Sequence, residues 1–174
     1  MPSDEIRCLG IDPGIGTLGY GIVVQRGSEL RAEGYGAIHT PPGLSLPERL
    51  KMLYRLMDER LSMFAPHLVA VERLYFGRNT TTAEMVWQAR GVVLLYASMM
   101  GVPVIEPGPS EVKMAVCGYG GAQKRQVQLM VRCLLGLEAC PTPDDVADAL
   151  AVAIAGLAMG RLTCVGGLRI DKVR

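Results

Sequence analysis

Four acids stand where a protein could do chemistry with them. Asp12 ends the apolar run "IRCLGID", and Glu72 ends "LVAVE" in the same way, each a carboxylate closing a β-rich segment. Residues at the carboxyl ends of sheet strands lie at the edge where α/β active sites tend to form. The other two, Asp145 and Asp148 in "PDDVADALAVA", are three residues apart and share one face of a helix. Each also has a plainer reading. A strand-end Asp is a common turn former, and Asp144 and Asp145 near a helix start are the residues that capping and the helix dipole favour. Asp148 fits that reading less well, because it lies a turn inside a helix that continues Ala-Leu-Ala-Val-Ala-Ile. Like charges on one face repel, and more strongly when desolvated, so the group calls for a counter-charge. Hard carboxylate oxygens suit magnesium or manganese. Three or four of them can hold two such ions ~4 Å apart and clamp both oxygens of an in-line phosphoryl displacement.

The glycines after Asp12 offer a competing chemistry. In "GIDPGIGTLGYGIVV", Gly14, Gly16 and Gly19 have the G-x-G-x-x-G spacing of a dinucleotide loop. That fingerprint must close a strand and open a long helix, whereas "TLGYGIVV" is poor helix and good strand. The glycines are expected instead to permit a tight hairpin, which leaves Asp12 as the residue to explain.

The elements that must position these acids can be read from periodicity. "IRCLGID", "LGYGIVV" and "LRAEGYGAIHT" read as three strands in two antiparallel hairpins. Leu50, Leu53, Tyr54, Met57 and Leu61 recur at the helix period between Pro47 and Phe64. "LVAVE" and "VPVIEPG" are the fourth and fifth strands, with a helix from about Thr80 between them, where Thr81 and Glu84 have capping-box spacing. Short helices follow near Ser110–Val116 and Lys124–Leu135, and the last begins near Asp144. Strands followed by alternating helices and strands predict an α/β fold, a mixed sheet covered by helices. The 174 residues, nearly half hydrophobic, suit one domain over residues 1–160, with a Gly-rich basic tail at 161–174 expected to be ordered only in part. No apolar stretch reaches the ~18 residues of a membrane span. Five scattered cysteines without a C-x-x-C argue against disulfide or zinc frameworks and suit the cytoplasm.

Charge is informative in its distribution. The net charge is only +1, yet Lys113, Lys124, Arg125 and Arg132 face a single acid, Glu111, between Ser110 and Cys133. Around the loop "RLYFGRN" stand Arg73, Arg78 and Arg90. Such clusters could track phosphates, although each basic residue alone is an ordinary solvated side chain. Tyr75 and Phe76 form an aromatic pair in that loop, in a chain with one Trp, six Tyr and two Phe. They could fold back on the core or stack on an unpaired base, a contact worth about 1–3 kcal/mol. Trp87 and the methionines read as core or dimer contacts, and His39 and His67 are assigned no role.

Taken together, "GIDPGIGTLGYG", "VAVERLYFGRNTTTAEMVWQARG", "PSEVKMAVCGYGGAQKRQVQLMV" and "DDVADALAVA" resemble, in order, the motifs of the RuvC-type Holliday junction resolvases, over roughly residues 6 to 160. The resemblance implies a ribonuclease H-like fold, a five-stranded mixed sheet with helices on both faces, and a homodimer. It also implies an endonuclease that resolves four-way DNA junctions in recombination and repair, by paired metal-dependent nicks leaving 5′-phosphate and 3′-hydroxyl ends. By the same resemblance the catalytic and metal-binding quartet falls on Asp12, Glu72, Asp145 and Asp148, with two Mg2+ or Mn2+ ions. The base-stacking aromatic falls on Tyr75, with Phe76 beside it, and the backbone-contacting lysines fall on Lys113 and Lys124. Arg78, Arg90 and Arg125 join them as expected DNA contacts, and a RuvA–RuvB-type branch-migration complex is the implied partner. Two other readings stay open on the residues: a related nuclease acting on RNA or an RNA–DNA hybrid, and a junction-binding scaffold that does not cut.

Overall fold

The computed structural model describes residues 5–74 and 80–165, with only the backbone of residues 80–82 and 161–165. Strands β1 (Glu5–Asp12), β2 (Thr17–Arg26) and β3 (Glu29–His39) form the antiparallel opening, followed by helix α1 (Leu46–Leu61) and a short 3-10 turn. Strand β4 (Leu68–Val71), α2 (Thr80–Met99), β5 (Val104–Ile105), α3 (Pro109–Cys117), α4 (Lys124–Leu134) and α5 (Asp144–Val165) complete the chain. The five strands lie in the order β3-β2-β1-β4-β5. β1 pairs antiparallel with β2 and parallel with β4, so the sheet is mixed and β1 is its centre.

Alternation along the strands divides the core into two. On one face Leu9, Ile11, Leu18 and Ile22 meet Leu53, Met57 and Leu61 of α1 and Ala89, Val93 and Ala97 of α2. On the other, Cys8, Val23 and Ala70 meet α5, flanked by Val112 and Val116 of α3 and Val127 and Val131 of α4. Helices therefore cover both faces, as the sequence predicts. α5 is apolar on nearly all sides because it lies between the sheet and the α3–α4 pair.

Two boundaries differ from expectation. The fifth strand is only Val104–Ile105, because the flanking Pro103 and Pro107 cannot donate to a ladder. The last helix continues past Gly160 to Val165, so the first part of the expected tail is helical backbone. Residues 166–174 lie outside the described residues.

Candidate active site

Asp12 and Glu72 reach the same edge because β1 and β4 run parallel. Ile11 is paired with Val71, which leaves the two acids at matching exits from the sheet. The turn after Asp12 is held from outside. Arg49 of α1 donates from Nε to the Thr40 hydroxyl at 2.9 Å and from Nη2 to the Ile15 carbonyl at 3.2 Å. The Thr40 amide donates to the Gly16 carbonyl at 3.1 Å, and its hydroxyl to that of Ile15. Arg49 and Thr40 are supports that sequence reading missed; a lone Arg on an amphipathic helix gives no signal of its partner.

The second acid pair arrives from α5, and the glycines explain how. Gly19 is the β2 partner of Asp12. A Cβ there would collide with the Asp145 carbonyl oxygen and lie 3.0 Å from the Asp145 Cβ. A Cβ at Gly10 would lie 2.5 Å from the Ala153 amide nitrogen. The first turn of α5 is thus seated directly on the sheet backbone beside Asp12. Gly14 serves the tight turn, since its Cβ would strike the Thr17 carbonyl, but Gly19 serves helix approach rather than the hairpin. No nucleotide-binding helix follows, since Thr17–Arg26 is a strand.

The electrostatics follow from this crowding. Burial, and then the charges of Asp148, Asp145 and Glu72, push the Asp12 carboxyl up to about 7, against a smaller opposing pull from Lys124. Glu72 is also raised, chiefly by burial and then by Asp148, with Lys113 opposing. The Lys124 ammonium, at the first residue of α4, lies 3.0 Å from Asp148 Oδ2 and 3.3 Å from Asp144 Oδ2. Its hydrogen bond to Asp148 raises its own pKa. Asp144 also accepts from Gln128 Nε2 at 3.0 Å, which gives it a structural role beside the quartet. Glu72, Lys113, Lys124 and Asp148 line one cleft of about 210 Å³, floored by Val112, Val127 and Val152.

Four carboxylates and two ammonium groups near one edge of a sheet are groups that could bind a divalent cation and a phosphate. The all-oxygen donor set fits a hard divalent cation. Among the described residues no three metal-ligating side chains are already closed around one point. Lys124 holds Asp148, so an ion would compete with that ammonium.

The remaining expected contacts divide. Arg125 is exposed beside Lys124 on the first turn of α4. Tyr75, Phe76 and Arg78 lie outside the described residues. Arg90 does not join the group. It is 7% exposed, with its guanidinium paired to Glu106 and its Cζ 5.6 Å from the centroid of the Trp87 ring. Its nearness in sequence to the aromatic loop suggested a DNA contact, but α2 turns it inward. The signal was present: Arg90 falls three and seven residues before the buried Val93 and Ala97. His39 and His67 serve the sheet, with the His67 Nδ1 accepting from the Arg7 amide at 2.9 Å and the His39 ring 3.1 Å from the Thr17 hydroxyl.

The chain is similar to known proteins over most of its length. Residues 8–156 match the family model described as crossover junction endodeoxyribonuclease RuvC. The protein of that name from Brevibacillus brevis is 52% identical over 149 residues, covering 86% of this chain and 90% of the relative. Its namesake from Desulfitobacterium hafniense is 54% identical over 146 residues, covering 84% of this chain and 88% of the relative. Among solved structures, Thermus thermophilus RuvC in complex with a Holliday junction substrate superposes with a TM-score of 0.84 at 40% identity, covering 90% of this chain and 96% of that one.

Proposed function

Because the chain belongs to the RuvC family of crossover junction endodeoxyribonucleases, we propose that Asp12, Glu72, Asp145 and Asp148 are its catalytic acids and its ligands for two divalent ions, Mg2+ or Mn2+. The substrate is a four-way DNA junction, cut by matched nicks that leave a 5′-phosphate and a 3′-hydroxyl. The observation that carries the assignment is Asp12, a carboxyl buried among three others at the carboxyl edge of the sheet, beside a cleft in which Lys113 and Lys124 join Glu72 and Asp148.

When bound, the cations supply an acidified water and a counter-charge for the leaving oxygen. The chain's own residues do the rest. Asp12 and Asp145 are held by backbone seating and fix the centre of the site. Glu72 and Asp148 flank the cleft that takes the scissile phosphate. Lys113 and Lys124 stabilise the charge that develops on that phosphate, and Lys124 exchanges Asp148 for it as substrate enters. Arg125 extends the basic track along α4. Tyr75 and Phe76 stack on bases at the junction and Arg78 contacts its backbone; the three follow Glu72 closely in sequence and so act next to the cut. Two matched nicks require two sites, which an isologous homodimer provides. A branch-migration complex of the RuvA–RuvB type fits as the partner that presents junctions.

The test uses a labelled four-way junction and a linear duplex of the same sequence, each with Mg2+, Mn2+ or chelator. Paired nicks in the junction alone, absent from Asp145→Asn and from chelated samples, are expected. Glu72→Gln should bind the junction as wild type does and fail to cut it. Equal cutting of the duplex, or a preference for RNA–DNA hybrids, would overturn the substrate assignment.

A further inference from the structure

The sheet alone does not fix the wall of the cleft that carries Glu72 and Lys113. β4 and β5 share just two paired positions, Val69 with Val104 and Ala70 with Ile105, so the ladder ends before Glu72. Beyond it, the Arg73 amide donates to the Pro107 carbonyl at 2.8 Å. Gly108 then caps α3, its amide donating to Glu111 Oε2 at 2.6 Å, and α3 carries Lys113. Both cleft residues therefore depend on the segment Glu106–Gly108. That segment is joined to α2 by the ion pair between Arg90 and Glu106.

We propose that Arg90 is a positioning residue, whose pairing with Glu106 fixes the β5–α3 segment and through it Glu72 and Lys113. The proposal rests on the functional reading of the cleft given above. With Arg90 buried and Glu106 partly exposed, the pair is a poor source of stability, because desolvating the guanidinium offsets the attraction. What the guanidinium supplies is direction: its contact, Nη2 to a Glu106 carboxylate oxygen, comes from a rigid planar group that a Lys ammonium does not reproduce. The Arg90 Cζ lies over the Trp87 ring, and among the described residues the Arg90 Nε has no hydrogen-bond partner. A DNA phosphate could reach Arg90 only by displacing Glu106 and entering a buried site. The tie also links the cleft to α2.

The experiment compares full-length wild type with R90K, R90Q, E106Q and the R90Q/E106Q double variant. It reads four quantities: junction affinity in chelator, single-turnover cutting at saturating protein, amide exchange at Arg73, and emission of Trp87, the chain's one tryptophan. R90Q and E106Q should each slow cutting at least tenfold while junction affinity stays within twofold. The double variant should be no slower than the slower single. Arg73 exchange should quicken at least tenfold in all three, and Trp87 emission should shift. R90K keeps the charge without the planar guanidinium and should recover less than half of the lost rate. If R90Q weakens junction binding and E106Q does not, Arg90 is a phosphate contact and the proposal falls. It falls equally if cutting and Arg73 exchange are unchanged. If R90Q does not fold, E106Q decides alone, because its carboxylate is partly exposed: slow cutting with intact binding supports the tie, and an unchanged rate overturns it. A wild type that leaves junctions uncut would instead overturn the functional reading, while Arg73 exchange would still test the tie.

Discussion

At the residue scale the site is built around an acid that would rather be neutral. Asp12 has a pKa of about 7 when folded and an ordinary carboxylate value when unfolded. The folded state therefore holds the proton more tightly, and without metal this group lowers stability as pH rises from about 4 to about 7, beyond which the penalty is constant. Asp12→Asn in chelator should raise the melting temperature at pH 8 and raise it less at pH 5, where the native carboxyl is already protonated. A gain of about 2 kcal/mol corresponds to roughly 4–8 °C for a chain of this size, readable by calorimetry. No gain at pH 8 would mean that Asp12 is not the strained member of the quartet. Divalent metal should reverse the order, stabilising wild type and leaving the Asn variant unmoved. The acids themselves were legible because each sits at a boundary that apolar pattern marks. Arg90 is close to Tyr75 and Phe76 in sequence, but that nearness does not show which way α2 turns its side chain. The Lys124–Asp148 contact had no local signal, since the two residues lie on different helices.

At the element scale, α5 and the two strands beneath it decide whether the acids meet. Gly19→Ala would push a methyl into the Asp145 backbone, and main chain cannot change rotamer to relieve it. The expected loss is about 3 kcal/mol, the upper range for overpacking, with cutting abolished, as urea unfolding and the junction assay would show. Gly16→Ala is the matched control. Its added carbon would meet only the Arg49 Nη2, at 3.6 Å, and stability should change by no more than about 0.5 kcal/mol. Equal losses at both positions would mean that turn conformation, not helix seating, explains the glycines. Here the sequence was legible in part. The hairpin could be read from Pro-Gly and the β-branched run, but the helix that needs Gly19 lies far along the chain, and one-dimensional patterns carry no record of what rests on a strand. The fifth strand was overestimated for a local reason, its two flanking prolines.

At the scale of the whole molecule, the basic groups of the cleft and the exposed apolar side chains of α2 lie on opposite sides of the sheet. Lys113, Lys124 and Arg125 belong to α3 and α4 at the cleft, while Leu95 and Met99 of α2 are 54% and 66% exposed on the other side of the sheet. The low net charge is compatible with DNA binding, because phosphates meet a local field rather than a total. Removing Lys124 as K124Q should weaken junction binding and reduce the salt dependence of log Kd by about one unit of slope; an unchanged slope would confine Lys124 to chemistry. The α2 surface is where the expected dimer would form. Leu95→Lys should shift sedimentation toward the monomer and leave single, unmatched nicks in junctions; a variant that remains dimeric would place the interface elsewhere. No helix among the described residues is long and apolar enough to cross a membrane. The seating of α5 on Gly10 and Gly19 has one more consequence. Backbone resting on backbone leaves no void to squeeze and no rotamer to thaw, so the gap between Asp12 and Asp145 should stay constant under hydrostatic pressure and on warming, up to unfolding. Any activation volume of the cutting step would then belong to the DNA and its displaced water, not to a catalytic centre that breathes.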